Sequence, residues 1–144
     1  MTPDVEEARS LAKEVLLEDR YDVRAVPHAE IPRYLRAADL GLLFREPHPL
    51  NEVACPTKFA EYMMSGLPVL ISGCIGDCSP FVAEHAAGVV LQRPDADAAV
   101  AAVTRIRAEP AHVRRARIAG LAGRFSRQRA AREMAELYLR LAST

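Results

Sequence analysis

The sequence predicts an α/β fold in which helices cover both faces of a parallel sheet. Three observations lead to this class. Segments of strand character and segments of helical periodicity alternate between residues 21 and 108. The predicted strands at residues 39–45 and 67–71 contain short apolar runs, as expected for strands that are covered on both faces. Half of the 144 residues are hydrophobic, which is enough for one domain with a core.

Local patterns define the individual elements. Apolar residues spaced three and four apart indicate helices, and short runs rich in Val, Leu and Ile indicate strands. Proline is tolerated in the first turn of a helix, and glycine often follows the last turn. On these criteria we predict helices at residues 3–17, 29–38, 56–65, 81–87, 95–108, 110–123 and 127–142, and strands at residues 21–26, 39–45, 67–71 and 89–91.

The predicted helix that begins at Pro56 carries a compact set of polar residues. Thr57, Lys58 and Glu61 fall on one edge of it, because three or four residues make about one turn. A helix start offers backbone N–H groups and the positive end of the helix dipole to an anion. The arrangement suits a sugar nucleotide, with phosphates at the helix start and ribose hydroxyls at the carboxylate. It equally suits a surface helix with a Lys–Glu pair.

The loops that follow the predicted strands should meet at one edge of the sheet. In parallel sheets, ligands bind outside the carboxyl ends of the strands. Three loops fit this description, at His28, at residues 45–56 and at residues 73–78. The second loop is longer than most connections, and long loops are often functional. Asp77, in the third loop, could hold a substrate hydroxyl or cap the helix that follows.

Charge is distributed unevenly along a chain whose net charge is zero. Residues 1–104 hold 9 basic and 16 acidic residues (net −7), whereas residues 105–144 hold 10 and 3 (net +7). A basic C-terminal segment can contact an anionic membrane surface or an acidic partner, or it can be a solvated helix face. We expect no nucleic-acid partner, because the segment has no aromatic-rich basic stripe. We therefore keep peripheral contact of this segment with the inner face of a membrane as an expectation.

Cysteine usage and the N-terminal sequence predict a cytoplasmic protein. The odd number of cysteines, Cys55, Cys74 and Cys78, favours a reducing compartment over a disulfide framework. The N-terminus is acidic and polar, unlike a secretory signal. The cysteines and His85 do not have the spacing of a zinc knuckle, so we expect no metal site. The sequence also lacks a Walker loop and a dinucleotide glycine motif, and we expect no cofactor.

Several short motifs occur in a recognisable order. Arg45 and Asn51 precede the run ACPTKFAEY at residues 54–62, which GLPV follows at residues 66–69. This order resembles the donor-binding half of GT-B glycosyltransferases of the group 1, or family 4, type. Further segments that look like this family lie at residues 31–35, 37–40, 75–77 and 87–90.

The resemblance implies a domain organisation and a reaction. Residues 1–108 would form a partial Rossmann-like domain that binds a nucleoside diphosphate sugar, and the helices of residues 109–144 would pack on it. The sugar would pass from the nucleotide to an acceptor hydroxyl. The nucleotide sugar is a substrate, so the resemblance implies no separate cofactor.

The resemblance also implies roles for individual residues. By analogy, Glu61 would bind the ribose hydroxyls, and Lys58, Thr57 and the backbone of the helix start would lie near the diphosphate. Arg45 and Asn51 would shape the sugar or phosphate side. We predict no catalytic residue within this chain.

The sequence departs from the family pattern in two respects. Many relatives carry a second glutamate eight residues before the position of Glu61, where this chain has Val53. The chain also lacks the acceptor half of a GT-B enzyme and the first strand of the donor half. We therefore expect a truncated donor-binding domain, with weak nucleotide binding and little transfer by the chain alone.

Two alternatives stay open at this point. The chain could be a non-catalytic fragment or subunit that requires a separate chain with an acceptor domain. It could also be a sugar-nucleotide epimerase, since such enzymes share the fold.

Overall fold

The computed structural model describes residues 5–16, 20–93 and 95–142. The chain forms two compact units, Met1–Ile31 and Pro32–Thr144. The domain boundary after residue 108 stays a prediction. The helices are α1 (Val5–Val15), α2 (Ile31–Ala37), α3 (Pro49–Glu52), α4 (Thr57–Met64), α5 (Cys78–Glu84), α6 (Ala96–Arg107), α7 (Ala111–Gly120) and α8 (Arg127–Ala142), with 3₁₀ turns at His28–Glu30 and Ala122–Phe125, and the strands are β1 (Gly41–Leu43), β2 (Val69–Ser72) and β3 (Gly88–Leu91).

The first unit contains α1 and an extended segment. Arg9 of α1 forms an ion pair with Glu6 at 2.8 Å and donates from Nε to the carbonyl oxygen of Val23 at 3.1 Å. The strand predicted at residues 21–26 is wrong, because these residues have no regular secondary structure. The described part of this unit holds no other strand with which they could pair. The carbonyl of Val23 binds a side chain instead.

The second unit is built on a three-stranded sheet. The strands lie in the order β1-β2-β3, and both neighbouring pairs are parallel. Leu70 of β2 stands opposite Leu42 of β1 and Val89 of β3. All four residues of the central strand are buried. The predicted parallel sheet is therefore confirmed.

Helices cover the sheet on both faces, as the apolar strands predicted. On one face, Val69 and Ile71 pack in a core with Met63 of α4 and Ile118 of α7, and all four side chains are 0% exposed. On the other face, Leu70 of β2 packs with residues of α6. Burying each large aliphatic side chain contributes about 1.5–3 kcal/mol to folding. The central strand therefore holds the two helical layers together.

The turn between α4 and β2 forms as its glycine predicts. Gly66 has a φ of +65°, a conformation that glycine adopts without steric cost. Its N–H donates to the carbonyl of Met63 at 3.0 Å, and the N–H of Leu67 donates to Tyr62 at 2.9 Å. These two bonds form a Schellman motif, which satisfies the last carbonyls of the helix. Because Leu67 takes part in it, β2 begins at Val69 rather than at the predicted residue 67.

Helix α5 begins three residues earlier than predicted. We expected a helix that starts at Phe81, but the helix starts at Cys78. The Ser79 hydroxyl lies inside the first turn and donates to the carbonyl of Ser72 at 2.6 Å. Asp77 occupies the N-cap position, although its side chain accepts no capping hydrogen bond. The local sequence pattern does not reveal this bond between Ser79 and Ser72, which are seven residues apart.

The remaining boundaries differ by a few residues. The long loop after β1 contains the short helix α3, which we did not predict. We expected α6 to begin at Asp95; that residue is its N-cap, and its carboxylate accepts from the N–H of Ala98 at 2.8 Å. Helix α7 ends at Gly120, before a 3₁₀ turn takes over. In the part of the chain that the structure describes, no helix combines the length and the apolar character needed to cross a membrane.

Helix α7 carries arginines that bind the ends of other helices at the amino edge of the sheet. Arg114 is only 6% exposed, and its Nη1 donates to the carbonyls of Ile106 and Glu109, each at 2.7 Å. The carbonyl of Ile106 belongs to the last turn of α6, and that of Glu109 lies two residues after the helix. The C-terminal end of a helix carries partial negative charge, so a guanidinium stabilises it.

Two further arginines of α7 make the same kind of contact. Arg115 donates to the carbonyl of Ser65, at the end of α4, at 3.3 Å, and also to the carbonyl of Ala38, which follows α2. Arg117 donates to the carbonyl of Ala86, which follows α5, at 2.9 Å. One helix thus supplies positive charge to the ends of the helices that precede the strands.

Candidate functional site

A cleft of about 370 Å³ lies at the carboxyl ends of all three strands. Residues 44–47 after β1, residues 72–74 at the end of β2 and Gln92 after β3 line it. Cavities of similar size flank Arg114 at the opposite edge. Arg114 and Arg117 there already bind backbone carbonyls, whereas the carboxyl edge of a parallel sheet is the usual place for a ligand. We therefore assign the candidate site to the carboxyl edge.

Arg45 and Asn51, both predicted site residues, lie in contact beside this cleft. Arg45 Nη1 donates to Asn51 Oδ1 at 2.9 Å, and Asn51 Nδ2 donates to the carbonyl of Glu46 at 2.8 Å. The backbone N–H of Arg45 donates to the hydroxyl oxygen of Ser72 at 2.9 Å. These bonds hold the guanidinium at the rim of the cleft.

The loop after β2 packs against the segment that leads into α4. The N–H of Gly76 donates to the carbonyl of Asn51 at 3.0 Å. Gly76 has a φ of +35°, and a Cβ atom there would lie 2.5 Å from the carbonyl oxygen of Ala54. Only glycine allows this close approach. The exposed Asp77 follows directly, so this predicted residue is near the loop of Asn51.

The start of α4 has no side-chain cap. Pro56 occupies the N-cap position, one residue before the first turn in which we expected it. The first N–H groups of a helix have no acceptor within the helix, and the side chain of the N-cap residue Pro56 cannot accept from them. Thr57 and Lys58 are exposed in this first turn. None of the described hydrogen bonds or ion pairs involves Lys58, so the predicted Lys–Glu pair is not among them.

Glu61 lies one turn further along α4 and is half-buried. The next residue, Tyr62, is 9% exposed, and its hydroxyl donates to the carbonyl of Leu42 at 3.3 Å. Burial raises the pKa of Tyr62, and the charge of Glu61 raises it further. The tyrosine therefore stays protonated and anchors α4 to β1, while Glu61 supplies the carboxylate of this turn.

Three residues of the cleft were not among the predicted site residues. Ser72 binds the backbone of Arg45, and Cys74 Sγ donates to the carbonyl of Arg45 at 3.3 Å. Gln92 lies beside Gly73, where an added Cβ would be 2.6 Å from Gln92 Oε1. Each of the three is a polar or small residue at the end of, or just after, an apolar strand. That position in the sequence could have identified them.

The histidines of the predicted loops have different surroundings. His48 Nδ1 accepts from the N–H of Leu50 at 3.2 Å and so caps α3. His28 begins a 3₁₀ turn in the first unit. Within residues 5–16, 20–93 and 95–142, no three or more His, Cys, Asp and Glu side chains form a group that could hold a metal ion.

Comparison with known proteins gives a family. The family of glycosyl transferases group 1 matches residues 3–109, which is 107 of the 144 residues. No curated protein and no solved structure matches the chain. The matched range contains the parallel sheet and each predicted residue of the candidate site. By this match over most of its length, the chain belongs to the group 1 glycosyltransferases.

Proposed function

We propose that the carboxyl edge of the sheet binds the nucleoside diphosphate sugar that donates the transferred glycosyl group. One observation carries the proposal. The uncapped start of α4, with the exposed Lys58, lies beside loops that hold Arg45. Arg45 lines the cleft, and in this proposal Lys58 and the N–H groups in the first turn of α4 bind the same ligand. This donor role, the family 4 subgroup and the truncated character of the domain are all proposals.

The diphosphate would bind at the start of α4. The N–H groups of Thr57 and Lys58 and the helix dipole favour an anion there, and the Lys58 ammonium adds a point charge. Departure of the sugar leaves more negative charge on the diphosphate. Donors that are already in place stabilise this charge without reorganisation. In this proposal the chain contributes electrostatic stabilisation rather than a general base.

The hydroxyl groups of the donor would bind on either side of the phosphates. Glu61, one turn into α4, suits the two ribose hydroxyls, because a carboxylate accepts two hydrogen bonds in parallel. The guanidinium of Arg45, which Asn51 holds in place, would donate to a phosphate oxygen or to the oxygen of a sugar hydroxyl. Asp77 accepts no capping bond in its own helix, and in this proposal it accepts from a hydroxyl of the sugar.

The acceptor would be held by another domain or by a partner chain. Helix α8 supports this part of the proposal, because no residue of it is buried. Its apolar side chains Met134, Tyr138 and Leu141 are 53%, 66% and 65% exposed. Exposed apolar surface of this kind marks interaction sites. We expect the purified chain to bind nucleotide but to transfer little sugar, and rapid turnover by the chain alone would contradict the need for a partner.

Isothermal titration with uridine and guanosine diphosphates tests the donor site. We expect one of the two to bind and Glu61→Ala to weaken that binding by about tenfold, equivalent to about 1.4 kcal/mol. The matched control is Glu84→Ala, which removes an exposed carboxylate from α5 and should leave affinity unchanged.

The titration has two outcomes that count against the proposal. Binding of neither diphosphate would contradict the donor site as a whole. Equal binding by Glu61→Ala and the unmodified chain would contradict only the ribose role. Product analysis without an acceptor adds a separate check, since conversion of one sugar nucleotide into another would indicate an epimerase.

A further inference from the structure

Two cysteines meet where the segment leading into α4 contacts the start of α5. Cys55 Sγ and Cys78 Sγ are 4.0 Å apart, although 23 positions separate these residues in the sequence. Cys55 is exposed, whereas Cys78 is 1% exposed. A disulfide bond is about 2.05 Å long, so the two sulfur atoms would have to approach by about 2 Å. Cys55 lies outside any helix or strand, where such a movement disturbs few contacts.

We propose that Cys55 and Cys78 form a redox-sensitive dithiol that closes to a disulfide and fixes the start of α4 against α5. The oxidant is a small disulfide such as oxidised glutathione. The Cys55 thiolate attacks one sulfur of the oxidant, releases one glutathione thiolate and forms a mixed disulfide. The Cys78 thiolate then attacks Cys55 Sγ and expels the second glutathione. The protein gives up two protons and two electrons, and the oxidant is reduced to two thiols.

The surroundings of the two thiols give the order of these steps. Burial, followed by the neighbouring Cys55 and the charge of Asp77, together raise the pKa of Cys78 to about 12. Cys78 is therefore a protonated and shielded thiol, and the exposed Cys55 meets the oxidant first. Because Cys78 must lose its proton in the second step, closure should become faster as the pH rises above neutral.

The third cysteine takes no part in this dithiol. Cys74 Sγ donates to the carbonyl of Arg45 at 3.3 Å, on the side of the strand-end cleft. It therefore provides an internal control, since a thiol in the same region should stay reduced when the other two close.

The functional consequence of closure rests on the proposed donor site. Cys55 is two residues before Thr57, so drawing its sulfur toward α5 shifts the first turn of α4. The N–H groups proposed to bind the diphosphate belong to that turn. We expect the oxidised chain to bind the diphosphate at least threefold more weakly than the reduced chain.

Mass spectrometry of the full chain tests the dithiol directly. After treatment with oxidised glutathione at about pH 8 we expect a loss of about 2 Da and one remaining alkylatable thiol, both reversed by dithiothreitol. Cys74→Ser should still form the bridge, and Cys55→Ser should not. Three free thiols after oxidation, or a bridge that includes Cys74, would overturn the proposal.

Titration of the oxidised and reduced chains with uridine and guanosine diphosphates tests the consequence. Weaker binding by the bridged chain supports the switch, and equal affinity overturns it. If the reduced chain binds neither nucleotide, the donor site fails together with the effect on binding. The mass measurement still decides the dithiol in that case, so the two failures are distinguishable.

Discussion

At the amino edge of the sheet, the arginines of α7 donate to carbonyl oxygens at helix ends. At the carboxyl edge, by contrast, Lys58 takes part in none of the described hydrogen bonds or ion pairs. Both edges carry positive charge beside helix ends. At the amino edge the charge meets the negative ends of helices and stabilises the fold. At the carboxyl edge it lies beside the positive start of a helix, an arrangement that favours an added anion.

This difference bears on the basic C-terminal segment. The net charge of +7 over residues 105–144 led us to consider an anionic surface as its partner. Arg114, Arg115 and Arg117 instead bind backbone carbonyls within the second unit. Three of the ten basic residues of this segment therefore stabilise the fold. Peripheral membrane contact stays a proposal with less charge left to support it.

The largest effect should come from removing a guanidinium at the amino edge. We expect Arg114→Met to lower the free energy of unfolding by about 2 kcal/mol, because the carbonyls of Ile106 and Glu109 lose their donor. The loss should be below the 3–5 kcal/mol typical of breaking a buried ion pair. Arg114 Nε already has no hydrogen-bond partner among the described residues, so the substitution also removes an existing cost.

Urea unfolding measures this effect. The exposed Arg132→Met on α8 is the matched control and should change the free energy of unfolding by less than about 0.5 kcal/mol. Equal stability of the two variants would show that the amino edge does not depend on its buried arginine.

A pair of variants should separate the two edges. Lys58→Ala should weaken binding of the nucleoside diphosphate by about tenfold and leave stability within about 0.5 kcal/mol. Arg115→Met should do the reverse, with a loss of about 1 kcal/mol in stability and unchanged affinity. Titration and urea unfolding of both variants check this, with Lys13→Ala as the control for loss of a lysine. If Lys58→Ala were as destabilising as Arg115→Met, the two edges would not differ in the way described.

The smallest effect concerns pH at the amino edge. Glu109 pairs with Arg117 at 2.7 Å, and this hydrogen bond holds the pKa of Glu109 below its usual value of 4.5. The ionised carboxylate thus favours the folded state. Its contribution is present above the unfolded pKa and is lost as the pH falls through the lower folded pKa.

Unfolding free energies measured between about pH 3 and pH 6 check the sign. Stability should decrease toward acid, and Glu109→Gln should make this decrease shallower. A variant whose stability falls as steeply as that of the unmodified chain would show that the pair contributes nothing.

The sheet and its covering helices could be predicted because they follow from short-range patterns. Apolar runs gave the strands of the second unit, and Gly66 marked the end of α4. The strand at residues 21–26 failed because a strand also needs a neighbour, which no local pattern supplies. The start of α5 was misplaced because the hydroxyl of Ser79 binds Ser72, seven residues away.

The candidate site was predicted in part for the same reason. The polar residues of α4 and the adjacent loops stand out in sequence, and Arg45 and Asn51 were expected in one region. Their mutual contact depends on how the loop folds around α3, which we did not predict. The partners of Arg115 lie 50 and 77 positions away in the sequence. Composition therefore revealed that α7 is basic, but not that its arginines bind backbone carbonyls.

Asn51 joins two loops through different atoms. Its side chain accepts from Arg45, and its carbonyl accepts from the N–H of Gly76. In the proposed complex, a phosphate that shifts Arg45 therefore also shifts Gly76 and the adjacent Asp77. The free energies contributed by Arg45 and Asp77 would then be coupled rather than additive. If the proposed donor site is correct, a donor lacking the hydroxyl that Asp77 binds should therefore lose affinity for its phosphate as well, because Asn51 contacts both loops.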